Sequence, residues 1–562
     1  MRMQPSLRLS LLLLFGLAIL SWGARAASSF RSSPRVSASV TAPSAYQGQP
    51  QGQYGFIGYV GDVVTYHYNV ARQGQNTLET VLTPSNVSSA TFGKLGFFTV
   101  DGKVDAQPLY LYKMPIGPSP RNTLYVVTEN DSAYAFDADS GAQLWKVSAA
   151  PSGETPSDNH GCSQISPQIG VTDTPVIDRQ RGPHGTIYFV AMTKDSSGKY
   201  HQRLHALDLT TGAEQFGGPA EITASYPGSG DNSQNGQVIF DPAKYAERVG
   251  LLAYGGKIYL AFTSHCDSRP YTGWLMAYDA LTLSQTSVLN VTPNGNEGAI
   301  WMAGAGLAAD PQGNIYFLDG NGTFDTTLNA QGFPSNGDYG NSFMKVATSP
   351  QLTVADYFTM HNTVQESNAD EDLGSGGAMV LPDLTDNQGQ VHHLAVGAGK
   401  DGNIYVVNRD NMGKFNPNND SAIYQELDGV LPGGVWAMPA YFNNTVYYGN
   451  VNGKLKAFSI VNAMLPNAPT SQSTNTFAYP GTTPSVSASG TSNGIVWAVE
   501  NSNPAVLHAY DATNLSNELY NSNQAGSRDQ FGAGNKFITP LIANGKVFVG
   551  TTNGVAKFGL LQ

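Results

Sequence analysis

One apolar, aromatic strand core recurs eight times along this chain, usually after a Gly or Asn turn: NTLYVV, GTIYFV, GKIYLA, GNIYFL, GNIYVV, NTVYYG, GIVWAV and GKVFVG. The aromatic anchors are Tyr125, Tyr188, Tyr259, Tyr316, Tyr405, Tyr447, Trp497 and Phe548, separated by 63, 71, 57, 89, 42, 50 and 51 residues. A strand-rich unit repeating every ~40–50 residues, with insertions, is the pattern of a β-propeller. A single sheet of this kind cannot cover both of its faces, so neighbouring units have to do so. The prediction is an all-β fold, an eight-bladed β-propeller of four-stranded antiparallel blades spanning residues 62–562.

Each repeat has a second beat, as in SAYAFDADSGAQLWK, RLHALDLTTGAEQFG and VLHAYDATNLSNEL, where period-two alternation runs into an Asp-containing turn. Several strand cores are preceded by QPLYL, TPVID, MPAYF or TPLIA. Pro there opens an innermost strand, where a missing N–H costs little. From about Asp62 the pattern reads as strand. Because the last repeat ends almost at the C-terminus, ring closure is expected to borrow the strand GKLGFFTVDGKV from the N-terminal side. The 71- and 89-residue gaps hold long excursions, the usual carriers of binding and chemistry on a rigid scaffold.

Arg2 and Arg8, an apolar run and Ala24-Arg25-Ala26 form a signal-peptide pattern over residues 1–26, followed by a flexible Ser/Gln/Gly/Pro-rich lead-in over 27–61. A secreted or periplasmic product with no membrane insertion after cleavage is expected. The net charge of −12 disfavours nucleic acid as a partner. Cys162 and Cys266 are the only cysteines, and export favours a disulfide between them over two separate buried thiols. Neither has the spacing of a covalent haem or a zinc site. GxSxG, HExxH and Gly-rich phosphate loops are lacking.

The beat YAFDADSGAQLWK, with a Trp four residues after the Gly, resembles the repeat of pyrroloquinoline-quinone (PQQ) propellers, the quinoprotein alcohol dehydrogenases and their non-enzymatic relatives. The stretches YHYNVARQGQNTLETVLTPSNV and GAGKDGNIYVVNRDNMG resemble an exported bacterial group of PQQ-like propellers. The likeness implies a calcium ligand at Asn321 in IYFLDGNGTFD and a catalytic Asp at Asp372, seven residues before Met379-Val380-Leu381. Calcium needs hard oxygen donors, and a carboxylate beside a quinone can take the alcohol proton as hydride leaves.

Three parts of that pattern are altered. An adjacent Cys-Cys pair over the quinone is impossible with Cys162 and Cys266 so far apart. The floor Trp is absent from WMAGAGLAADP, where Trp301 matches an upstream position. The Glu ligand of calcium has no counterpart in TKDSSGKYHQR, where only Asp195 could stand in. The plainer readings are a solvated acidic turn or cation site for Asp372 and a turn residue for Asn321. The expectation is a binding or scaffold propeller with a degenerate quinone site, its partner a small molecule, a saccharide or a protein segment. Exposed loop aromatics (Tyr226, Tyr271, Trp274, Tyr339, Trp436) are candidates for that contact, or pack between blades. The alternative is a PQQ- and calcium-dependent alcohol or sugar dehydrogenase with an altered pocket.

Overall fold

The computed structural model describes residues 61–562, so the signal-peptide and lead-in expectations lie outside the described residues except for Gly61. Among these residues, eight antiparallel sheets share a four-strand core. The first is Leu109–Met114, Arg121–Val127, Ser132–Asp137 and Gln143–Ser148, in that spatial order. Sheets two to seven follow in chain order. The eighth is closed by the predicted clasp: Phe92–Thr99 pairs antiparallel with Gly554–Leu560, beside Lys546–Gly550 and Leu541–Ala543. Neighbouring sheets share apolar cores throughout. Phe98, Tyr110, Leu124 and Phe548 join the eighth sheet to the first, which closes the ring of a β-propeller.

The repeated residues explain how the sheets dock. All eight anchors are at most 2% exposed, and a buried phenol needs a hydrogen-bond partner. Tyr125 donates to Leu209 O (3.0 Å), Tyr188 to Ala280 O (2.8 Å) and Tyr447 to Ala512 O (2.7 Å). Each acceptor belongs to the next sheet and follows its turn aspartate, Asp208, Asp279 or Asp511. Those aspartates hold the turn themselves: Asp208 Oδ1 accepts from the backbone of Thr210 (2.9 Å) and Thr211 (3.1 Å). Gly212 (φ +70°) closes this turn, and a Cβ there would stand 3.0 Å from the ring of Trp145. Trp145 Nε1 also donates to Leu209 O (3.0 Å), so one backbone carbonyl ties two aromatic residues of the preceding sheet.

One anchor departs from the pattern. Seven lie in the second strand of their sheet, whereas Tyr405 lies in the third strand of the fifth, Ile404–Asn408. The second place there is taken by Leu394–Ala398, which has no aromatic residue. This explains the long gap before Tyr405 and the short one after it. The Tyr405 hydroxyl donates to Asp401 Oδ2 (2.5 Å), within its own sheet.

The strand expected from about Asp62 is not formed; residues 61–76 instead thread across the innermost strands, with only Gln75–Asn76 in a strand. Backbone hydrogen bonds link Val63 to Tyr110, Val64 to Ile177, Val70 to Ala309, Ala71 to Val380, Gln73 to Tyr441 and Gly74 to Val486. Arg72 donates to Leu251 O, and Asn76 to Ile542 O. Every sheet is thereby contacted. Arg72 is fully buried without a carboxylate; it donates to Leu307 O, Thr65 Oγ1 and Tyr66 O as well, and burial lowers its pKa to about 9. Val63, Tyr66 and Arg72 are selected by this buried path rather than by a strand period.

Candidate functional site

Asp319 follows the second strand of the fourth sheet, Ile315–Leu318, and opens a long excursion that returns at Phe343. Asn321 is flanked by two glycines for a steric reason. A Cβ at Gly322 would come 2.5 Å from Gly298 N, and one at Gly320 3.1 Å from Ala299 O. The loop therefore lies against residues 298–299, and Gly298 N donates to Asn321 O (2.6 Å). Further along, the helix Thr363–Ala369 ends on Asp370 in the left-handed conformation (φ +60°). Asp372 then leads through the short turn Leu373–Ser375 to Met379–Val380, the innermost strand of the fifth sheet. The seven-residue spacing is this turn.

The structure brings Asn321 and Asp372 together through Asp370, a neighbour in the same acidic loop, and Lys400, which the sequence reading passed over. Asn321 Nδ2 donates to Asp370 Oδ1 (2.9 Å), and Lys400 Nζ lies 2.5 Å from both Asp370 Oδ1 and Asp372 Oδ1. Asp372 is only 7% exposed, so it is not a solvated turn. Burial pushes its pKa up to about 6, against the pull of the Lys400 ammonium, with Asp267 and Asp370 adding repulsion. Asn321 Oδ1 and Asp319 Oδ2 are buried without a hydrogen-bond partner. Asp195 does not join this set. Its Oδ1 accepts from Ser197 (2.8 Å) and Lys199 (3.0 Å) in its own hairpin, and His201 Nε2 lies 3.4 Å from Oδ2.

Around the same mouth of the ring stand aromatic side chains from the segments leading into the fourth, sixth, seventh and eighth sheets. Trp301 packs edge-on to Phe537 (5.2 Å), Phe537 on Tyr479 (6.4 Å), and Tyr479 on Trp436 (5.7 Å). Lys400 Nζ sits 6.0 Å from the Trp436 ring centre, the outer limit of a cation–π contact. Cys162 and Cys266 form a disulfide, as expected. Beside it, Gln164 Oε1 accepts from Tyr479 OH (2.8 Å), and Ser163 O accepts from Lys536 Nζ (2.9 Å). The disulfide-tied segment thus reaches the residues before the seventh and eighth sheets. Of the loop aromatics singled out in the sequence, Tyr271, Trp274 and Tyr339 are buried packing residues; Tyr226 and Trp436 are half-buried.

The donors present do not fit the calcium ion of a quinone site. The ammonium of Lys400 holds the two carboxylates that a cation would have to recruit. Among the described residues, no group of three or more His, Cys, Asp or Glu side chains is arranged to hold a metal ion. What the arrangement can do is hold a carboxyl of raised pKa beside a fixed cation, a pair able to accept or donate one proton. Lys400 carried a weak sequence signal: a lysine between Gly399 and Asp401 in a chain that is only 13% charged.

No family model and no curated protein matches the sequence. Among solved structures, the chain is similar to a quinohemoprotein alcohol dehydrogenase from Pseudomonas putida, with a TM-score of 0.59 and 13% identity over 89% of this chain and 80% of that one. It is also similar to a europium-containing methanol dehydrogenase, with a TM-score of 0.58 and 13% identity over 89% of this chain and 98% of that one. The fold is that of the PQQ-like β-propellers. At such identity the likeness is one of fold, and the function of this propeller has to be argued from its own residues.

Proposed function

We propose that this PQQ-like propeller is an exported binding protein whose quinone site has been converted into a closed structural joint. The observation that carries the reading is the Lys400–Asp370–Asp372 cluster, in which an internal ammonium already holds both carboxylates. The aromatic row from Trp301 to Trp436 and the disulfide-tied segment at Gln164 support it, and residues 61–76 span the inner strands. A ring closed this way offers its loops and outer faces for contact with a small molecule, a saccharide or a protein segment. The Cys162–Cys266 bond accords with a secreted or periplasmic location, where disulfides persist.

The dehydrogenase alternative has one observation in its favour. Asp372 is a buried carboxyl with a pKa near 6, and the partnerless Asn321 Oδ1 belongs to the same cluster. One experiment separates the readings. The purified protein is melted with and without PQQ and calcium, and dye reduction is followed with a panel of alcohols and sugars. A bound cofactor at a hundredfold excess over its Kd adds about 2.7 kcal/mol of stability. The expected result is no shift and no dye reduction. Turnover that disappears in Asp372→Asn would overturn the binding reading.

A further inference from the structure

On the outer side of the fifth sheet lies a cleft of about 670 Å³, within the ~300–1,000 Å³ typical of small-molecule sites. Its walls are the helix Thr363–Ala369, the turn at Asn403 and the segment 418–428. This is where Tyr405 left the repeat, and it lines the cleft. Four carboxylates also line it: Glu366, Asp420, Glu426 and Asp428. Among the described residues, the one basic side chain in the lining is His361, whose Nδ1 is already 2.6 Å from Asp420 Oδ2. Glu366 is 5% exposed, yet its Oε2 has no hydrogen-bond partner. Ionising such a group without a nearby cation is costly, so a positive charge brought into the cleft is what would stabilise its carboxylate form.

We propose that this cleft binds a small organic diamine, one ammonium group meeting Glu366 and the other the Glu426–Asp420 side. Ammonium groups donate three hydrogen bonds each and match carboxylate and amide oxygens, which the cleft supplies in excess. A neutral polyol would bring no charge to stabilise the ionised form of Glu366. A bare metal ion is disfavoured because no three acidic or imidazole groups converge at metal distance among the described residues. Burial, then Asp401, Glu371 and Asp420, raise the Glu366 pKa to about 8, with only Asn362 pulling it down among the near neighbours. Burial, then Asp420, Asp401 and Asp428, raise that of Glu426 to about 7, against the pull of His361. This inference extends the binding reading to a named site, but it does not depend on the closed axis. A quinone-dependent activity would overturn the former and leave the latter standing.

The test is calorimetric titration of the full mature protein with putrescine, 1,4-butanediol as its neutral isostere, calcium chloride and Nα-acetyl-lysine amide. Putrescine is expected to bind and the diol and calcium to give no heat. Affinity should rise between pH 6 and 8.5, because the amine stays charged (pKa ~10.4) while Glu366 and Glu426 lose their protons. Glu366→Gln and Glu426→Gln should each weaken binding at least tenfold, with circular dichroism confirming the fold. Asp139→Asn, on a turn of the first sheet, should change nothing. No putrescine binding, equal binding of the diol, tighter binding of calcium, or unchanged affinity in both Gln variants would overturn the proposal. Tighter binding of the lysine derivative would overturn the choice of a free diamine.

Discussion

The helix Thr363–Ala369 separates two acidic regions that differ in one respect. On the axial side, Asp370 and Asp372 share the ammonium of Lys400. On the outer side, Glu366 and Glu426 share no such cation, and a cleft of about 670 Å³ remains open. Buried carboxylates supplied with an internal cation make a joint; those left without one make a receptor for a cation from outside. The contrast also explains why the two pKa values near the helix diverge. Lys400 restrains Asp372 to about 6, while Glu366 rises to about 8.

The largest expected effect comes from breaking the axial joint. Lys400→Ala leaves two acidic groups without their partner, one of them nearly buried, and should cost about 3 kcal/mol in chemical denaturation. An unchanged unfolding midpoint would mean that the two regions do not differ in the way described.

Next in size is a pH effect located in the outer cleft. The unfolded value for both glutamates is 4.5, against about 8 for Glu366 and about 7 for Glu426 in the fold. Both hold their proton more tightly when folded. Their contribution is therefore complete below pH 4.5 and is lost as pH rises through 7 and 8. The melting temperature should fall by several degrees between pH 5 and pH 8, and Glu366→Gln should flatten that slope. A slope unaffected by the substitution would place the titrating groups elsewhere.

The smallest effect compares two anchors. Tyr188→Phe strips the partner from the Ala280 carbonyl of the next sheet and should cost about 1 kcal/mol. Tyr405→Phe should cost less, because Asp401 also accepts from Asn403 N (3.2 Å) and faces no neighbouring sheet through this bond. Equal costs, measured by urea denaturation, would remove the distinction between docking anchors and the cleft tyrosine.

The scaffold was legible in the sequence because its docking rules are local. An aromatic strand core, an Asp turn and a closing Gly lie within about 25 residues of one another, and each has a visible steric or hydrogen-bonding cause. The clasp at Phe92–Thr99 was legible because the last repeat lacked an outer strand. The position of Tyr405 was not, since GNIYVV suits a second or a third strand equally well and LAVGA carries no aromatic marker. Asn321 and Asp372 were found through resemblance, but their partner Lys400 stands 28 residues beyond Asp372, and no local pattern links the two. The path of residues 61–76 rests mainly on backbone groups, which every sequence possesses alike.

That threaded segment changes how the ring can come apart. Repeat proteins usually unravel piecemeal, since each unit touches only its neighbours. Here a single stretch of chain, ahead of the first sheet in sequence, holds a bond to every sheet, including one between Asn76 and Ile542 that spans 466 residues. No sheet can leave without releasing the shared strap, and the strap cannot settle until the last sheet has been made. Assembly waits on the far end of the chain, and the eight repeats stand or fall as one cooperative unit.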